Sequence, residues 1–475
     1  MRYPLEPGRA EMAELAQQVL ERAIEFIDQL PEHPASIEGV PPAEIAALQR
    51  RLLMPPGEQP GDLAQLLALV EEAAQAAVES AGPGYLAYVP GGGLFAAAVA
   101  DLYARATNRY VGLSAVAPGF AALEYSVVRF LCEVCGLGDG SGGILVSGGS
   151  TANFAALIAA RHHHLGEEIA SGTLYATEEA HHSIAKAARL AGIPQRNLRT
   201  VACAGDRRMD VEAAARMIRS DRAAGMRPFL LVGSAGTTNT GAIDPLDEMA
   251  DLAHDERVWL HVDGAYGGVF RLTERGRLRL AGIERADSVT LDPHKGLFMP
   301  YGTGALVVRD LGRLRAAHAV SGHYLQDLSA QEVPDFADLG PELTREVRGL
   351  RIWLPLHLYG VAAFRAALDE KLDLAEHAYR RLRAEPLLDA VLAPQLSIVA
   401  FRLRGRTAQE ADARGRDVLR RVNAGRRVFL SSTVVDGRFT LRLAILAHRS
   451  HIDRVDEAVD AIIAAARAAS AERSN

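Results

Sequence analysis

Three short segments carry residues that could do chemistry together. The first, ADSVTLDPHKGLFMPYGTGALVVR at 286–309, reads as an apolar strand, a Pro-His-Lys turn and a second apolar strand. Lys295 stands at that turn, between two runs patterned for burial. An amine kept from water sheds its proton more readily, and a neutral amine is a nucleophile that forms Schiff bases. The second, VWLHVDGAYGG at 258–268, is an apolar run that ends in Asp263 and small residues. That is the pattern of a buried parallel strand, and ligands bind outside the carboxyl ends of such strands. An acid so placed can hold a proton on a heterocyclic ring nitrogen. The third, GGILVSGGSTANFAALIAA at 142–160, reads as strand, Gly/Ser/Thr turn and helix. Its glycines let the backbone approach a phosphate, and N–H groups at the helix start bind one. Ser147, Gly149, Ser150 and Thr151 are the candidate contacts. Read singly, each segment has an ordinary alternative: a solvated turn lysine, a turn aspartate, a common strand–helix joint.

Phosphate turn, strand-end acid and lysine follow one another in that order. The order, with HVDGAYGG and DPHK, resembles the pyridoxal-phosphate-dependent group II amino-acid decarboxylases, the aromatic-L-amino-acid decarboxylases among them. The likeness runs from PGYLAYVPGGG at 83–93 to FTLRLAILAH at 439–448. It implies a fold-type I architecture: an α/β class, with a mostly parallel central sheet and helices on both faces. It implies pyridoxal 5'-phosphate as cofactor, an amino acid as substrate, and a homodimer with its site at the interface. Within it, Lys295 matches the lysine that carries the cofactor, and Asp263 the acid on the pyridine nitrogen. Ala265 and His181 match the residues on the two ring faces, and Thr238 the residue near the ring hydroxyl. His294 matches the histidine before the lysine. Asp292 stands where many members have Asn near the phosphate, an awkward place for a carboxylate.

The expected reaction is loss of the α-carboxylate from an L-amino acid, a carbon–carbon lyase reaction, followed by protonation at Cα. Many members deliver that proton from a loop Tyr. Counting back from Trp353, the matching position is Phe336, which has no proton to give and which the resemblance associates with aldehyde-forming members. Tyr324, Tyr301 and His181 are other donors, and a hydrophobic plug is the other reading of Phe336. Tyr85, Tyr88, Val89, Val111 and Leu113 fall where the family builds its side-chain pocket. With Arg109 the one basic residue that stands out there, an apolar or aromatic substrate is favoured over an acidic one. Another fold-type I enzyme and a non-catalytic binding protein remain open.

The elements that must position these residues follow from periodicity. Residues 1–84 read as amphipathic helices at 9–30, 43–53 and 61–79, which cannot bury their apolar faces alone. In the family such a segment wraps the partner subunit. Residues 85–350 alternate strands (143–147, 173–177, 198–202, 228–234, 257–262, 286–291 and 304–309) with helices, as a large α/β domain does. Residues 351–475 read as a small α+β domain: a long helix from Arg351, strands near 396–403, 428–433 and 438–445, and a closing helix.

Composition sets bounds. The chain has 475 residues, 49% hydrophobic and 23% charged, with 52 Lys+Arg against 59 Asp+Glu for a net charge of −7. That gives no basic footprint for nucleic acid. No apolar stretch of membrane-span length stands free of charges, and the start lacks a signal-peptide core. A cytoplasmic enzyme is the expectation. No metal site is expected either. Cys132 and Cys135 form a C-x-x-C inside a helical pattern, which reads as core packing, and His162–His164 read as the solvated end of a helix.

Overall fold

All seven expected runs of the large domain pair into one sheet in a computed structural model, which describes residues 5–319, 332–390 and 392–471. The strands are β1 (Gly142–Val146), β2 (Gly172–Thr177), β3 (Leu198–Val201), β4 (Arg227–Ser234), β5 (Trp259–Asp263), β6 (Ser288–Leu291) and β7 (Gly304–Val308). Their spatial order is β1-β7-β6-β5-β4-β2-β3. The five from β6 to β3 are parallel, and β7 runs antiparallel to both β6 and β1. Every position of β1, β5 and β7 is buried, as continuous apolar runs require when helices cover both faces. Register then does the positioning. Asp263 of β5 stands opposite Ser234 of β4 and Thr290 of β6, so three polar side chains form a row at the carboxyl ends of the parallel strands.

A second sheet holds β8 (Leu388–Ala390), β9 (Ile398–Leu403), β10 (Ser431–Val435) and β11 (Arg438–Ala444), in the antiparallel order β10-β11-β9-β8. The helices Val361–Ala384, Ala408–Ala424 and Ile452–Ala471 supply the apolar partners of this sheet. The helix expected from Arg351 needs correction. The long helix is two, Leu350–Tyr359 and Val361–Ala384, broken at Gly360, whose φ of 74° no helix accommodates. The short strand β8 went unread because three residues cannot show a period.

The N-terminal helices are Arg9–Gln29, Pro42–Leu52 and Leu63–Gln75, and none buries a residue. Met12, Leu15, Val19, Ile24, Leu66 and Val70 are all exposed. Cys132 and Cys135 are fully buried and free, in the helix Pro118–Cys135. Of the histidine run, His162 and His163 are exposed, but His164 is half-buried and departs from the expected solvated end. Burial, with neighbouring His163 and Arg313, pushes it down to about 4, so it places no charge on the helix dipole.

Candidate active site

Where the row of polar residues meets the turn after β1, the chain encloses a cavity of about 340 Å³. Its floor at one end is the turn itself. Ser147 and Thr151 hydroxyls bond at 2.9 Å across the first turn of the helix Gly149–Leu165, whose free N–H groups point to that end. Glycine is needed here for close approach. A Cβ on Gly304 of β7 would run into Gly148 Cα, and one on Gly149 would lie 3.0 Å from the Asp292 carboxylate and 3.1 Å from Ala265 Cβ. Ser147, Gly149, Ser150 and Thr151 all line the cavity.

Asp263 stands at its other end. One carboxylate oxygen accepts the Ala265 N–H at 3.1 Å, and the other accepts the Asn153 side-chain N–H at 2.8 Å. Ala265, His181 and Thr238 line the space between. Burial lowers the pKa of His181, against the pull of Asp263, so its ring is neutral at pH 7. Lys295 lies in the short helical turn Pro293–Gly296, with its Nζ 2.9 Å from Asp292 Oδ2. His294 donates from Nδ1 to the Thr303 carbonyl at 2.7 Å, which leaves Nε2 3.6 Å from Asp292. Asp292 is itself buried, and its Oδ1 has no hydrogen-bond partner among the described residues.

This is a receptacle for a flat ring with an anion at one end: helix N–H groups and hydroxyls for the anion, an acid for the far side of the ring, an amine beside it. Residues 51–404 match the pyridoxal-dependent decarboxylase conserved domain. The chain belongs to that family. An aromatic-L-amino-acid decarboxylase of Bacillus atrophaeus is 37% identical over 322 residues, 67% of each chain. An L-2,4-diaminobutyrate decarboxylase of Rhizobium meliloti is 34% identical over 377 residues, 78% of this chain and 75% of that one. A structure of Oryza sativa TDC with PLP and tryptamine superposes with a TM-score of 0.92 at 25% identity, covering 98% of this chain and 99% of that one. The protein is thus a pyridoxal-phosphate-dependent amino-acid decarboxylase of fold-type I.

The decarboxylase departs from the sequence reading in two places. Phe336 is fully buried in the apolar cluster of Ile144 and Leu339, with the Arg345 guanidinium 4.9 Å over its ring, and it does not reach the cavity. A benzyl group gains more in that core than beside a charged cofactor, and this placement agrees with Phe336 as a hydrophobic plug. Tyr324 lies outside the described residues. Tyr85, Tyr88, Val89, Val111 and Leu113 do not line the cavity either. Val111 and Leu113 are buried, Val111 against Ala100 and Val347. Tyr85 stacks on Phe429 at 5.9 Å, and Tyr88 stands exposed beside them.

Sequence reading passed over Asn153, Ser183, His261 and Thr290, which gather behind Asp263. A signal existed for two of them. His261 precedes Asp263 by two and so shares its sheet face, and Asn153 lies one helical turn past Gly149, on the face that looks at the cavity.

Proposed function

We propose that the decarboxylase converts an L-amino acid with an aromatic side chain to its amine, with Lys295 as the lysine that holds the cofactor. The observation that carries this assignment is the cavity that joins Lys295, Asp263 and His181 to the turn Ser147–Thr151. Helix N–H groups and the Ser147, Ser150 and Thr151 hydroxyls would hold the phosphate, and Asp263 the ring nitrogen. When bound, pyridoxal phosphate supplies an electron sink for the pair released as the carboxylate leaves. Asp263 keeps the proton at the ring nitrogen that makes the sink effective. Ala265 would leave one ring face clear of bulk, and neutral His181 would cover the other. His181 is also the described side chain in the cavity best able to pass a proton on.

An aromatic substrate is supported by the names of the relatives and by the cavity lining. Apart from Lys295, no Lys or Arg among the described residues lines it, so an acidic side chain finds no partner there. Its acids, Asp263 and Asp292, already hold Asn153 and Lys295, which disfavours a cationic one. We read the working unit as a homodimer, because three N-terminal helices leave their apolar faces uncovered.

Incubation of the loaded enzyme with a panel of L-amino acids tests the substrate, with carbon dioxide and amine measured together. Tryptophan, tyrosine or phenylalanine should lead. A clear preference for glutamate or 2,4-diaminobutyrate would overturn the aromatic assignment.

A further inference from the structure

Behind Asp263 lies a chain of buried polar groups in which every proton has one possible place. It starts at Trp259, whose indole N–H can only donate, and donates to Ser288 Oγ at 2.8 Å. Ser288 is 2.8 Å from His261 Nδ1, and His261 Nε2 is 2.9 Å from Asn153 Oδ1. Thr290 donates its hydroxyl to the same Asn153 oxygen at 2.6 Å. The Asn153 amide nitrogen faces two acceptors, Asp263 Oδ2 at 2.8 Å and Ser183 Oγ at 2.9 Å. Ser183 Oγ in turn lies 2.7 Å from His181 Nδ1, which also receives the Ser183 backbone N–H at 3.3 Å.

Only one register satisfies all of these contacts. Asn153 must turn its NH₂ toward Asp263, because its oxygen there would oppose a carboxylate. Its oxygen then accepts twice, from Thr290 and from His261, so His261 carries its proton on Nε2. His261 Nδ1 is left to accept the Ser288 hydroxyl. The Ser183 backbone N–H donates to His181 Nδ1, which makes that nitrogen an acceptor, so the Ser183 hydroxyl, itself accepting from Asn153, gives its proton to the same Nδ1. The proton of neutral His181 is therefore on Nε2. Asn153, Ser183, His261, Ser288, Thr290 and Trp259 are all at most 2% exposed, so water does not compete for these bonds. Burial also holds His261 down to about 4, which keeps it neutral and the register single.

We infer that Asn153, backed by His261, is a positioning residue that aims the Asp263 carboxylate at the cofactor ring and biases His181 to the tautomer with its proton on Nε2. The inference rests on the roles proposed above for Asp263 and His181. Neither Asn153 nor His261 is asked to exchange a proton with substrate. They act through the groups they hold, so that the acid does not rotate when the ring arrives.

The test has two arms. In the cofactor-free chain, ¹⁵N-histidine NMR at pH 7.5 should show His261 and His181 both protonated on Nε2 and not on Nδ1. A His261 proton on Nδ1 reverses the register and overturns the inference, whether or not the enzyme turns over. In the second arm, affinity for pyridoxal phosphate and the kcat–KM split are compared for Asn153→Asp, His261→Gln and His261→Leu. Asn153→Asp keeps the shape but loses both N–H donors, and should lower affinity and kcat about 10- to 100-fold, the loss expected for a hydrogen bond to a charged group, with KM little changed. His261→Gln keeps a donor where Nε2 stands and should approach the parent, whereas His261→Leu should fall with Asn153→Asp. Unchanged cofactor affinity in Asn153→Asp, or equal losses in the two folded His261 variants, would mean packing only and overturn it. If Asn153→Asp does not fold, the His261 pair and the tautomers decide. A parent chain that binds no pyridoxal phosphate would sink the assigned roles, yet leave the His261 tautomer readable.

Discussion

At the scale of single residues, the pairing of Lys295 with Asp292 is the feature most particular to this chain. Asp292 Oδ2 holds the Lys295 ammonium, while Oδ1 is buried without a partner among the described residues, next to the turn that would receive a phosphate. A carboxylate there repels a phosphate dianion. Asp292→Asn removes that repulsion and gives the orphaned position a group able to donate. We expect this variant to bind pyridoxal phosphate several-fold more tightly than the parent at pH 8, by absorbance titration. Weaker binding would mean that the ion pair to Lys295 matters more than the repulsion. Lys295→Ala should abolish turnover altogether. Borohydride reduction of the loaded parent should place the label on the peptide that contains Lys295, and a label on another lysine would refute its assignment.

Elements act on the site through backbone contact more than through side chains. The phosphate turn leaves the end of β1 against the start of β7, where Gly148 and Gly304 meet with no room for a Cβ. Gly304→Ala therefore cannot be absorbed by a side-chain rotation. It must part β7 from the turn, at a cost of about 1–3 kcal/mol typical of overpacking. The expected outcome is a lower thermal midpoint together with loss of cofactor, since both read the same strain. A variant that is destabilised but binds pyridoxal phosphate as the parent does would show that the turn keeps its shape independently of β7.

Across the whole molecule two properties stand out. The exposed apolar positions of the three N-terminal helices leave these helices without a core of their own, and a second copy of the chain is the partner we assign. Sedimentation should show a dimer, and removal of residues 1–75 should yield a poorly soluble or inactive chain. An active monomer of the full chain would overturn the dimer. Acid sensitivity is the second property. Burial pushes His448 down to about 3 and His261 to about 4, from an ordinary value of 6.5. Between those values the unfolded chain binds protons that the folded chain refuses. The contribution of these two histidines to stability is thus level above about pH 7, falls as pH drops through 6.5, and keeps falling toward the folded values. Urea unfolding midpoints at pH 7.5, 6 and 5 should decline in that order, and His448→Gln should shrink the decline.

Much of this was legible in residue order alone. Period-two and continuous apolar runs marked the seven strands of the large sheet, because burial on both faces leaves no room for polar residues there. Asp263 and Lys295 were legible for the same reason: each is a charged residue at the end of such a run, a costly place unless a ligand repays it. Sequence was silent wherever position depends on distant segments. Counting from Trp353 brought Phe336 to a catalytic place, but counting is blind to the cluster of Ile144, Leu339 and Arg345 that draws its ring into the core. The network behind Asp263 joins residues 153, 183, 261 and 290, which no local pattern connects. Only the packing of the helix Gly149–Leu165 across β5 and β6 brings them within hydrogen-bond reach. Thr290 and His261 must then share one acceptor, the Asn153 side-chain oxygen, 137 and 108 residues away from them in the chain, and it is that sharing, absent from any linear pattern, that settles where each proton sits.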